Sequence, residues 1–228
     1  MQMKHTFWVF LSLAFSGNYS FFNWNPYPDG RPKGKIETTS KRVAEFENDF
    51  QNGDLIFQTS LSGQSKAVQL ATHSKYSHCG IIYKNGSDYF VFEAVQPVKR
   101  TRLDKWIARG QGGKYVVKRL KNAAEVLTPE VIAKMKKIGD GFNGKKYDLT
   151  FEWSDDKIYC SELIWKVYQR ATGIEIGKLG KLSDFDLTHE VVKKKMKERY
   201  GNEIPMEETV ISPAAVFDSE LLVTVMAN

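Results

Sequence analysis

The stretch "HCGIIYKNGSDYFVFEAVQ", residues 78–96, constrains the fold more than any other. Two runs rich in β-branched and aromatic residues flank Asn85-Gly86, a dipeptide that supplies positive φ at both central positions of a tight hairpin. A two-residue loop at Asn85-Gly86 pairs Lys84 with Ser87 and sets His78 opposite Glu93. Directly opposed residues share a face, with Cβ atoms roughly 4.5–5.5 Å apart, so an imidazole and a carboxylate can meet there. Any other even-length loop keeps the two on one face, one diagonal apart, and an odd-length loop separates them. Cys79, one residue on, points to the other face and away from that pair. On these residues alone the His–Glu pair is either a structural cross-strand contact or part of a site.

Elements on both sides fit the hairpin into a mixed fold. "LIFQTS" (55–60) and "KYVVKRL" (114–120) read as strands. "SKRVAEFENDF" (40–50) and "QSKAVQLAT" (64–72) have helical spacing. Thr128-Pro129 starts a helix that runs to about Phe142, with Thr128 as cap and Pro129 at the first helical position. Its stripe of Val131, Ile132, Met135 and Ile138 is a core face. "LTHEVVKKKMKERYG" (187–201) is a last long helix, and its lysine run reads as a solvated face. Strands first, interleaved helices and a central hairpin predict an α+β fold with an antiparallel sheet packed against helices.

The second informative stretch is "KIYCSELIWKVYQRATG", residues 157–173. Leu163, Ile164, Val167, Tyr168 and Ala171 make one apolar helix face, and Gly173 stops the helix. Cys160 therefore sits at or just before the first turn, where unpaired N–H groups and the positive end of the dipole favour a thiolate. A small hydrophobe filling space under the helix is the plain alternative. A thiolate nucleophile needs a base and a group to orient that base. Of the four histidines, His5 lies in the leader, His189 in the lysine-rich helix, and His73 where it can cap a helix. His78 remains, beside Ser77.

Composition sets the frame for this chemistry. With 42% hydrophobic and 13% aromatic residues the 228-residue chain can bury a real core. The net charge of +6 is spread out and no aromatic-basic pattern of a nucleic-acid module stands out, so no nucleic-acid partner is expected. Residues 1–16 read as a signal peptide: Lys4 and His5 precede the apolar run "TFWVFLSLAF", with Ala14 and Ser16 as the small residues of a cleavage site. A buried N-terminal helix or an uncleaved anchor is the competing assignment. Export is the expectation, with no stable membrane span in the mature chain. An irregular arm with a short helix, 17–48, precedes a domain over 49–228. Export permits a disulfide between Cys79 and Cys160, but a free, reactive Cys160 is the stronger expectation. The Cys and His spacing is not that of zinc ligands, so neither metal nor cofactor is expected.

In order, "NGDLIFQTS", "SKYSHCGIIY", "FEAVQP", "GKKYDLTFEW", "YCSELIWKVYQRATG" and "ISPAAVFDS" resemble the YiiX-type group of permuted NlpC-like cysteine hydrolases, over roughly residues 50 to 218. The resemblance implies a circularly permuted papain-like fold, in which the histidine precedes the cysteine. It implies Cys160 as nucleophile, His78 as general base and Glu93 as the group orienting the imidazole. Lys146, Tyr147 and Asp148 match a stretch near the site, Tyr159 is a candidate for shaping the pocket or binding an oxyanion, and Ser77 adjoins the base. Two departures stand out: Cys79 occupies a strand position where an aliphatic residue is more usual, and the aromatic arm over 17–39 has no counterpart.

The function implied is that of an exported cysteine amidase or peptidase acting on cell-wall peptides or a related small peptide. Acyl transfer or lipid ester hydrolysis through the same cysteine is a second expectation. A non-catalytic binding module on the same scaffold is a third. The oligomeric state is not set by the sequence.

Overall fold

A computed structural model describes residues 50–228. The expected signal peptide, the arm and nearly all of the helix over 40–50 lie outside the described residues. A six-stranded sheet has the order β4-β3-β2-β1-β5-β8, with β1 Leu55–Gln58, β2 His78–Asn85, β3 Asp88–Glu93, β4 Lys99–Arg102, β5 Val116–Leu120 and β8 Leu222–Ala227. Every neighbouring pair is antiparallel. A short ladder, β6 Gly180–Lys181 with β7 Thr209–Val210, stands apart.

Alternation along the strands sends residues to two cores. Leu55, Phe57, Cys79, Ile81, Tyr83 and Phe92 face a cluster that includes Cys160, Leu163, Ile164, Val167 and Tyr168 of the helix Cys160–Thr172. Ile56, Ile82, Tyr89 and Val91 face the opposite way, onto Leu103, Trp106 and Ile107 of the helix Leu103–Arg109. In chain order the helices are α1 Ser65–Thr72, α2 Leu103–Arg109, α3 Ala123–Val126, α4 Pro129–Asp140, α5 Cys160–Thr172, α6 Glu190–Tyr200 and α7 Pro213–Phe217. A third, smaller cluster joins α1 to α6 through Ala67, Val192 and Met196.

The expected helix and strand signals are present. Thr128 caps α4 by accepting the Val131 N–H at 3.3 Å, with Pro129 as the first helical residue. Ile132 and Met135 are buried and Val131 and Ile138 pack against the same cluster. His73 is the left-handed C-cap of α1, with φ 50°. His189 caps α6, accepting the Val191 N–H at 3.1 Å, so that helix starts three residues later than its sequence pattern suggests.

The hairpin needs a correction. Asn85 pairs with Asp88 and Ile81 with Phe92, so the loop is Gly86-Ser87. Gly86 has φ 61° while Asn85 and Ser87 are not in the left-handed region. A loop with positive φ only at its first central position takes glycine there, and the asparagine is left as the last strand residue.

Candidate active site

The start of α5 carries Cys160. Tyr159 precedes the helix in extended conformation (φ −107°, ψ 169°), Cys160 is its first residue and Gly173 ends it with φ 78°. Glu162 reaches back to accept the Tyr159 N–H at 3.3 Å, and the Ser161 hydroxyl donates to the Ile211 carbonyl at 2.8 Å. These contacts hold the first turn while its remaining N–H groups stay directed out of the helix end.

His78 opens β2. With Asn85 paired to Asp88, Glu93 stands opposite Gly80, two residues from His78 on the same face. The contact is therefore diagonal rather than direct. It closes because Gly80 has no side chain: a Cβ there would lie 2.4 Å from Val91 Cγ1 and 3.4 Å from Glu93 Cβ. His78 Nε2 is 2.6 Å from Glu93 Oε2, and the imidazole stacks on Trp106 with ring centroids 5.8 Å apart.

Glu93 is fully buried, yet its oxygens are surrounded by donors. Thr101 Oγ1 donates to Oε1 at 2.6 Å, Trp106 Nε1 to Oε2 at 2.8 Å, and Arg109 Nη2 reaches both oxygens at 2.6 Å. Burial opposes its ionisation, but the His78 hydrogen bond and charge, with Arg109 and Thr101, hold its pKa at about 2. No sequence pattern had pointed to Thr101, Trp106 or Arg109. They come from β4 and α2, a segment with no strong motif, and the signal present was the Trp–x–x–Arg spacing that puts both side chains on one helix face.

Cys79 also departs from expectation. It does point to the face opposite His78, but that face carries α5, so Cys79 shares a buried cluster with Cys160. The Cys79 thiol and backbone lie close enough to the Cys160 sulfur to favour its charged form. Both thiols are free. The Cys79 S–H, set against burial and joined by His78, holds the Cys160 pKa well below that of an ordinary thiol. Burial pushes Cys79 well above it. Burial works against a charged His78, but its bonds to Cys160 and Glu93 prevail and raise its pKa to about 9. Both shifts favour the thiolate–imidazolium form of the pair.

The remaining residues named from sequence ring the site. Ser77 Oγ is 2.6 Å from Ser65 Oγ and accepts the Ser60 N–H at 2.9 Å. The Tyr159 hydroxyl accepts the Ile211 N–H at 3.1 Å. Tyr147 pairs with Ile158 in an isolated parallel bridge just upstream of Cys160. Asp148 is fully buried, with Oδ1 accepting from the Thr150 backbone and hydroxyl at 2.8 Å. Lys146 lines an open groove that passes His78 and Arg109.

Two spaces meet here. An apolar cavity reaches Cys160 between Val68 and Ala71 of α1 and Val192 and Met196 of α6. The open groove lies on the His78 side, with Lys146, Lys157, Lys195, Glu198 and Arg199 along it. A chain of hydrogen bonds runs where they adjoin: Arg199 Nη2 donates to Gln64 Oε1 at 2.6 Å, and Gln64 Nε2 to the Tyr147 hydroxyl at 2.8 Å. The lysine-rich face of α6 is thus not wholly solvated, because Lys195 and Arg199 border both spaces.

A family model described as "Permuted papain-like amidase enzyme, YaeF/YiiX, C92 family" matches residues 49–226. The chain belongs to this family. Its fold is accordingly the permuted papain-like one, and its enzyme class that of cysteine amidases. The uncharacterized protein YiiX of Escherichia coli (strain K12) is 53% identical over 175 residues, covering 77% of this chain and 85% of that protein. The crystal structure of metalloprotein YiiX from Escherichia coli O157:H7 is similar with a TM-score of 0.75 and 52% identity, covering 78% of this chain and 97% of that one. Among the described residues no three His, Cys, Asp or Glu side chains are grouped to hold a metal ion. At the site itself, the histidine and the carboxylate are bonded to each other. The donor set of this site, as described, does not fit a metal.

Proposed function

We propose that this amidase works by covalent catalysis, with Cys160 as nucleophile, His78 as general acid and base, and Glu93 as the orienting carboxylate. The observation that carries it is the continuous line from the Cys160 sulfur through His78 to a carboxylate whose other partners are all donors. The thiolate attacks the amide carbonyl carbon, and the Cys160 N–H at the helix start stabilises the oxyanion. His78, held protonated, gives its proton to the leaving amine. Neutral His78 then takes a proton from water, whose oxygen attacks the thioester and releases the acid, and Cys160 leaves as thiolate. Glu93 fixes the imidazole and stabilises its charge in both halves. Tyr159, Tyr147 and Ser77 shape the wall around the sulfur, while Lys146 meets the substrate along the groove.

The substrate class supported is a small peptide bearing carboxylates, lying in the groove of Lys146, Lys157 and Arg199. Cell-wall peptides outside the cytoplasm fit this chemistry together with the leader-like run over 1–16. The apolar cavity beside Cys160 supports a second reading, in which the acyl half is a hydrocarbon chain and the reaction is acyl transfer or lipid ester hydrolysis.

Substrate panels of carboxylate-bearing peptides, N-acyl amides and acyl esters separate the two readings. Cys160→Ala and His78→Ala are expected to lower turnover by about four orders of magnitude without unfolding the protein. An active Cys160→Ala protein ends the mechanism, and exclusive cleavage of long-chain esters ends the peptide assignment.

A further inference from the structure

We propose that Cys79 is the resolving thiol of Cys160: peroxide oxidises the nucleophile, and Cys79 captures it as an intramolecular disulfide that switches the enzyme off reversibly. The inference rests on Cys160 being a thiolate at neutral pH. It goes beyond the hydrolytic mechanism, in which Cys79 only favours the thiolate form of Cys160 and undergoes no chemistry of its own.

Three observations support it. The whole chain has two cysteines, so each has a single intramolecular partner. The two cysteines share one buried cluster, on β2 and at the head of α5, and their side chains interact. Their access differs: Cys160 lines the apolar cavity, whereas Cys79 is 0% exposed and borders neither space. A small oxidant therefore meets Cys160 first, and Cys79 reacts only with what forms there.

The chemistry balances with hydrogen peroxide as the oxidant. The Cys160 thiolate attacks one peroxide oxygen, the O–O bond breaks, and the departing hydroxide takes the His78 proton to become water. Cys160 is now a sulfenic acid. The Cys79 sulfur attacks the Cys160 sulfur, the S–O bond breaks, and the hydroxyl leaves with the thiol proton as a second water. Two thiols have together given two electrons to one peroxide. A dithiol reductant returns both hydrogens by exchange.

Intact-mass measurement after graded hydrogen peroxide, with and without dithiothreitol, tests the proposal on the wild type, Cys79→Ala and Cys79→Val. The wild type is expected to lose about 2 Da, to yield a crosslinked 79–160 peptide, and to regain its alkylatable Cys160 on reduction. The variants are expected to gain two or three oxygens instead, with about tenfold more irreversible loss of the thiol at equal peroxide. Mapping the crosslink in the wild type needs no variant, so a poorly folded variant leaves the test intact. If the wild type gains oxygens as fast as both variants and forms no crosslink, the proposal is overturned. Iodoacetamide labelling of the reduced wild type, run separately, reports on the thiolate itself. Fast labelling with no crosslink sinks only the resolving role, and slow labelling sinks the nucleophile assignment too.

Discussion

Glu93 and Glu162 are the same residue type, both 0% exposed and both bonded to segments that hold Cys160, yet they ionise in opposite directions. Against burial, His78, Arg109 and Thr101 hold Glu93 at about 2, and Trp106 donates a further hydrogen bond. Burial lifts Glu162 to about 7, against which it has Lys166 Nζ at 2.8 Å and one backbone N–H at 3.3 Å. Burial alone is therefore not what sets a carboxylate's role. A carboxylate ringed by donors stays charged and can stabilise an imidazolium, while one with a single cation beside it sits on the edge of protonation.

Glu93→Gln is the strongest way to break the contrast. The amide has no charge and one donor too many for its ring, leaving Arg109 without its anion. Turnover is expected to fall about 10²–10⁴-fold, by analogy with neutralising the orienting carboxylate of a serine triad. The sign of the pH effect follows: His78 loses a partner that raises its pKa, so the alkaline limb of the rate profile moves down from about 9. A pH–kcat/KM series with an unmoved alkaline limb would remove Glu93 from the mechanism.

Gly80→Ala tests the diagonal by which His78 meets Glu93. Its Cβ would fall 2.4 Å from Val91 Cγ1 and 2.9 Å from the Phe92 carbonyl oxygen. A loss of about 1–3 kcal/mol in urea unfolding is expected, with activity reduced further than stability explains. Trp106→Phe keeps the stacking area and deletes one donor to Glu93, so about tenfold in kcat with little change in KM is expected. An unchanged kcat would show that the remaining donors suffice.

The smallest effect is on Glu162. Its folded pKa of about 7 lies above the ordinary 4.5, so its contribution to stability is fully present below about pH 4.5 and is lost as pH rises through 7. Glu93 runs the other way, contributing above about pH 4.5 and losing that contribution as pH falls toward 2. Glu162→Gln should flatten the decline in stability between about pH 5 and 8, on the order of 1–3 kcal/mol at its upper end. Melting temperatures across that range check it, and an unaltered slope would refute the assignment.

How far the site was legible depends on how local each signal is. Cys160 could be placed from its own helix, because the apolar stripe and Gly173 lie within a few turns of it. His78 and Glu93 could be placed on one face because strand alternation survives a register error: the loop moved from Asn85-Gly86 to Gly86-Ser87, and the pair moved from direct to diagonal without changing face. Thr101, Trp106 and Arg109 were not legible, since their value comes only from β4 pairing beside β3 and α2 folding over it. Cys79 was misplaced for a related reason. Its direction was correct, but which face α5 would cover is a fact about packing, not about the strand.

The sequence by itself determined which residues could take part: an α+β chain with a helix-start cysteine, a hairpin that joins a histidine to a glutamate, and a family resemblance that orders them. Those are properties of spacing within single elements, where φ/ψ limits and alternation leave few choices. Only the tertiary structure decided the charges. A fully buried carboxylate is ionised at Glu93 and raised toward neutrality at Glu162 because the donors around the first come from two further elements, β4 and α2, folded beside it, and ionisation answers to neighbours in space.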